Sequence, residues 1–89
     1  MPVVSMFYGI IIQMLFFDND KHKKPHIHAR YGEFKVSIDI ETAEILAGNF
    51  PKRQFRLVQA WVEIHRDELM ANWNLAVDGE QIFKVDPLK

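Results

Sequence analysis

The sequence predicts an α+β fold, an antiparallel sheet of four to five strands packed on one long or bent C-terminal helix, with a short final strand. Two patterns carry that prediction. Between His26 and Glu41 apolar and polar residues alternate, with one interruption at Gly32-Glu33, the signature of a half-buried hairpin. Between Phe55 and Ala76, Phe55, Val58, Val62, His65, Leu69, Trp73 and Ala76 recur in steps of three and four, one face of an α-helix. A chain of 89 residues is too short to divide between two cores, so residues 1–89 are expected to form a single domain.

The first element is the run FYGIIIQMLFF, residues 7–17, apolar except for Gly9 and Gln13. Three consecutive isoleucines and four aromatics favour a strand over a helix of that length. Because both of its faces are apolar, such a strand is either central and covered on both sides or buried against a second copy. The following DNDKHKKP, residues 18–25, has turn and loop chemistry and holds the dense cationic cluster Lys21, Lys23 and Lys24.

In the hairpin, Gly32 at the first loop position suits a two-residue type II′ turn, which pairs Tyr31 with Phe34. Counting outward then sets Arg30 opposite Lys35, His28 opposite Ser37, and His26 opposite Asp39. A turn around Thr42-Ala43 leads to a short strand near 44–47, closed by Gly48-Asn49. Asn49 is the expected helix N-cap, with Pro51 in the first turn, where its missing N–H is harmless. A helix over 52–77 would be about 39 Å long, more than the width of so small a domain, so a bend or break near His65-Arg66-Asp67 or a protruding end is expected. Asp78-Gly79 ends it, and Gln81–Val85 is the candidate last strand.

Apolar residues make up 48% and charged residues 26% of the chain, which separates it from the disordered class. There is no cysteine, which excludes disulfides and thiolate metal sites. A formal net charge of −1 leaves no molecule-wide positive field for nucleic acid, although a local basic patch is compatible with it. The eleven-residue apolar run is about half the length a membrane helix needs, and its flank lacks the cations and cleavage site of a secretory signal; a cytoplasmic protein is expected. No Gly-rich phosphate loop, nucleophile elbow or Cys nucleophile occurs.

The segment KKPHIHARYGEFKVSIDIE (23–41), with its Pro-His-x-His-Ala opening, resembles an uncharacterised bacterial family, domain of unknown function 4160 (DUF4160). WVEIHRDELMANW (61–73) and SMFYGIIIQM (5–14) extend the likeness over most of the chain. The resemblance implies one half of a two-gene module, beside a domain of unknown function 2442 protein, similar to toxin–antitoxin arrangements. It therefore implies a co-encoded protein partner and an RNA-related activity. Where that family leads into Pro-Pro-His with acidic or Asn-Pro-rich residues, this chain has Lys23-Lys24-Pro25.

Candidate chemistry centres on His26 and His28, two apart on a strand and so on one face, about 7 Å apart at the backbone. Two such imidazoles can converge on a divalent metal or a phosphate, or act as general acid and base. Asp39, opposite His26, is the candidate acceptor for its Nδ1 or a further ligand, and His22 a third position. Lys24, Arg30 and Lys35 are the candidate phosphate-binding cations. The competing account of the His pair is a solvated hairpin face.

His65 lies among Val62, Leu69 and Trp61, as a core histidine, the cap of a helix break, or a catalytic group. Lys52, Arg53 and Arg56 occupy the first helical turns, where cations oppose the helix dipole; they form either a solvated face or a dock for an acidic partner or phosphate. Trp61 and Trp73 have the spacing of core anchors, and one of them exposed would mark an interface. The leading expectation is an interaction protein, homo-oligomeric (a homodimer) or bound to a co-encoded partner. The alternative is a His-dependent ribonuclease or metal-dependent hydrolase.

Overall fold

The structure, a computed structural model, describes residues 3–14 and 24–89. The apolar run expected to be one strand is instead part of a hairpin. β1 (Val3–Phe7) turns at Tyr8-Gly9 into β2 (Ile10–Gln13), with Phe7 paired to Ile10 and Met6 to Ile11. Both turn residues have positive φ, 50° and 77°, as a type I′ hairpin turn requires. Uniform hydrophobicity hid the reversal, because a run apolar on both faces has no period to break. Residues 15–17 of that run, and residues 18–23 with His22 among them, lie outside the described residues.

β3 (His26–Tyr31) and β4 (Phe34–Asp39) pair in the register that alternation predicts, Tyr31 with Phe34 through His26 with Asp39. Gly32 has φ 57° and Glu33 does not share it, which fits the type II′ turn. β2 joins on the other side through Ile12–Ala29 and Gln13–His28.

β5 (Ile45–Asn49) completes the sheet, pairing Lys35 with Asn49 and Ile38 with Ile45, with Leu46 as the extra residue of a bulge. Gly48 therefore belongs to the strand and does not close it. The strand order is β1-β2-β3-β4-β5, antiparallel throughout. Asp39 organises the turn before β5, since its Oδ1 accepts from Glu41 N at 2.7 Å and Thr42 N at 3.3 Å.

The helical segment is two helices, α1 (Lys52–Ile64) and α2 (Arg66–Val77), separated at His65 with φ −109° and ψ 23°. The break matches the length argument: an unbroken helix of about 39 Å would exceed the longest extent of the molecule, 34 Å. The N-cap is Pro51, without a side-chain hydrogen bond, and Asn49 is occupied as the last residue of β5. At the far end Glu80 N donates to Leu75 O and Gly79 N to Ala76 O, a Schellman closure with Gly79 at φ 75°.

One sheet face, carrying Ile10, Ile12, Ile27, Ala29, Val36 and Ile38, is buried in a single core cluster with Val58, Trp61 and Val62 of α1 and Leu69 of α2. Each Ile, Val or Leu among them contributes about 1.5–3 kcal/mol by leaving water. The last strand does not form. Residues 80–89 have no regular structure and touch the sheet through a backbone bond from Val85 N to Val4 O, 2.9 Å. Side chains hold the tail instead. Asn72 Nδ2 donates to Phe83 O at 2.7 Å and its Oδ1 accepts from Phe83 N at 3.0 Å, while Trp61 Nε1 donates to Asp86 O at 2.7 Å. An amide side chain thus takes the backbone groups a neighbouring strand would have used.

No helix among the described residues is long and apolar enough to cross a membrane.

Candidate functional site

Alternation along β3 sends Ile27 and Ala29 into the core and His26 and His28 to the opposite face. The two rings meet edge to face, with centroids 5.1 Å apart. Asp39 and Ser37 stand opposite them on β4. The hairpin therefore gathers two imidazoles, a carboxylate and a hydroxyl at one end of the sheet.

This end is not a solvated surface. His26 is 1% exposed and Asp39 3%, and the ring of Trp73 from α2 packs 5.2 Å from that of His26. Local sequence gave no signal for this contact, because it joins positions 47 apart through the helix break. His28 is half-buried, with Ser37 Oγ 3.4 Å from its Nδ1.

The expected bond from His26 Nδ1 to Asp39 does not form. Nδ1 donates to Lys24 O at 2.8 Å, a partner two residues back across Pro25. A carbonyl only accepts, so Nδ1 carries the proton, and in the neutral ring the lone pair lies on Nε2. The Asp39 carboxylate is committed to the turn, with Oδ1 on Glu41 N and Thr42 N and Oδ2 4.0 Å from Lys24 Nζ. Its first role is to hold the chain reversal into β5.

The structure divides the proposed phosphate cations. Lys24 stands beside Asp39 and His26, whereas Arg30 and Lys35 pair with each other four residues further along the hairpin, about 13 Å at the strand rise. Among the described residues no group of three His, Cys, Asp or Glu side chains converges to hold a metal ion, so His26 and His28 stand as two candidate ligands. His65 sits at the helix break, its Nδ1 donating to Glu68 Oε1 at 2.6 Å and its ring 5.5 Å from that of Trp61. Arg66 next to it pairs with Glu63 and reaches Ile40 O. Trp61 is 0% exposed and Trp73 8%, which places both inside the chain as core anchors.

The family profile described as Domain of unknown function (DUF4160) matches residues 9–74. The chain belongs to this family. No curated protein and no solved structure matches it. The span matched by DUF4160 contains both histidines, Asp39, the helix break and Trp73, and stops before the tail that Asn72 fastens. The DUF4160 match thus covers the whole gathering of side chains around His26.

Proposed function

We propose that this chain is a small interaction protein, one component of a two-gene, toxin–antitoxin-like module, acting through a partner chain that adds an extended strand to β5. The open edge of β5 carries this reading. β5 ends the strand order, and among the described residues no backbone bond reaches its outer side. Its sequence, ILAGN, contains no charge and no proline, and Ile45 is exposed. Sheet edges are ordinarily blunted by charges, proline, bulges or covering segments; here only the Leu46 bulge is present. The opposite edge, β1, is covered at Val4 by the tail. Strand addition would satisfy the free backbone groups and seat alternate side chains. A different chain fits better than a second copy, because self-pairing would set two Leu46 bulges against one ladder.

The test is co-expression with the product of the adjacent reading frame and measurement of the complex mass by light scattering. Ile45→Lys and Ala47→Lys, which put charge on the edge without removing a ladder donor, should each dissociate the complex while leaving the chain folded. A complex indifferent to both substitutions would remove the edge as the docking place, and a self-association lost on Ala47→Lys would make the occupant a second copy.

A second reading, a His-dependent ribonuclease or metal-dependent hydrolase, draws on the Nδ1 bond of His26 to Lys24 O, which fixes the tautomer of a ring that stands beside His28. It ranks second because His26 is buried and Asp39 is engaged by the turn. Substitution of His26 and His28 by Ala, assayed for RNA cleavage and divalent-ion binding, tests it; activity that survives the double change ends it.

A further inference from the structure

We propose that the turn end of the sheet, together with the first turns of α1, binds single-stranded RNA. This surface is distinct from the His26 end and from the β5 edge, and the proposal stands independently of the partner reading. Three pieces of chain meet there. Gly9 of the first turn lies against Tyr31, whose ring a Cβ at position 9 would approach to 3.4 Å. Tyr31 packs 6.2 Å from Phe50, and Phe50 leads through Pro51 into α1. Lys35 pairs with Asn49, immediately before Phe50.

Among the described residues that end carries five cations with no partner, Lys52, Arg53 and Arg56 on α1 and Arg30 and Lys35 on the sheet face turned away from α1, so that they flank the turn end from both sides. Arg30, Lys35, Lys52, Arg53 and Arg56 are all exposed, and among the described residues none makes an ion pair or a side-chain hydrogen bond. Two pairs of them are placed against each other: Arg30 faces Lys35 across strands, and Lys52 and Arg56 are one helical turn apart. Like charges in either arrangement are destabilising. No acidic residue occupies the first turn of α1, and Glu33 in the hairpin turn is the nearby carboxylate. Of the other described acidic side chains, Glu63, Asp67 and Glu68 lie around the helix break, Asp39, Glu41 and Glu44 at the far end of the β3–β4 hairpin, and Asp78, Glu80 and Asp86 at or beyond the end of α2.

Charge alone would suit any polyanion. The aromatic side chains decide for an unpaired nucleic-acid strand, such as single-stranded RNA. Tyr8 is 60% exposed and Phe34 43%, one in the first hairpin turn and one at the start of β4 beside the second, so each leaves aromatic surface on which an unstacked base can lie. Cations along a backbone path interleaved with exposed aromatics are the shared device of single-strand binding. A double helix offers no free base face to these rings.

The experiment is fluorescence anisotropy with a labelled single-stranded oligouridine. Five phosphate contacts predict a logarithmic salt slope of about −3.5, so that raising salt from about 50 to 200 mM weakens binding about 100-fold. Arg30→Glu with Lys35→Glu, and separately Lys52→Glu with Arg56→Glu, should each flatten the slope. Phe34→Ala should weaken binding about tenfold and leave the slope intact. Lys89→Glu, in the tail, is the control and should change neither. Circular dichroism checks that each variant is folded. Absence of binding at low salt overturns the proposal. So does equal binding of a poly-glutamate peptide that is insensitive to Phe34→Ala, which would mark the surface as a dock for acidic protein.

Discussion

Replacing Gly48 by Ala tests how tightly β5 is locked to β4. The residue has φ 88°, and a Cβ there would lie under 3.0 Å from the carbonyl oxygen of Lys35 and 3.1 Å from the Cα of Val36. The left-handed conformation alone costs an L-residue about 1–2 kcal/mol. The atoms in the way are backbone and cannot swing aside as a side chain would. Relief requires the strands to part around Val36–Gly48 and Lys35–Asn49, with loss of about two ladder bonds worth roughly 0.5–1.5 kcal/mol each.

The sum is about 2–5 kcal/mol, a large share of the 4–13 kcal/mol, roughly, that a chain of this length commands. Gly32→Ala is the internal reference. It also has positive φ, 57°, but nothing lies within 4 Å of its added methyl, so only the conformational penalty of about 1–2 kcal/mol applies. Urea unfolding followed by tryptophan fluorescence and circular dichroism measures both. Equal losses at the two positions would refute the steric argument.

Asp39→Ala should destabilise by about 2 kcal/mol, because Glu41 N and Thr42 N lose their acceptor, whereas Asp39→Asn, which keeps one oxygen, should remain within about 1 kcal/mol of the parent; urea midpoints discriminate the two. Asn72→Ala removes both bonds to Phe83 and should cost about 2 kcal/mol, and limited proteolysis should then cut within 80–89 well before the remainder of the chain. Ser5→Ala should be neutral or stabilising by about 1 kcal/mol, since among the described residues the buried Ser5 Oγ finds no hydrogen-bond partner and its removal relieves an unmet desolvation penalty. A clear drop in melting temperature would show that Oγ has an acceptor in solution.

The central hairpin was legible in the sequence because two signals agreed there, strict alternation and a glycine where the turn type demands one. Both histidines, Ser37 and Asp39 came with it, since register is counted outward from the turn. Length alone asked of the helix a bend, a break or a protruding end, and the structure takes the break, with two helices meeting at His65. The first hairpin was not, although Gly9 was the glycine in the run, because Tyr8 is an unusual residue for positive φ and no alternation framed the turn. The N-cap was placed two residues early because strand pairing with Lys35 outweighed the capping preference of Asn49. The tail looked like a strand by composition, but Asn72 satisfies Phe83 first. The role of Asp39 was misjudged for a local reason: a carboxylate just before a chain reversal finds backbone N–H groups sooner than a ring across the ladder.

The interruption at His65 ties two distant histidines together mechanically. From His65 to Trp73 the second helix is a lever of about 12 Å, and the indole at its end rests on His26. Any swing at the pivot, set by the grip of His65 on Glu68 and of Arg66 on Ile40, is delivered to the first ring of β3 as a change in its lid. A substitution at position 65 should therefore be felt at position 26, thirty-nine residues earlier in the chain, while the sheet itself stays where it was.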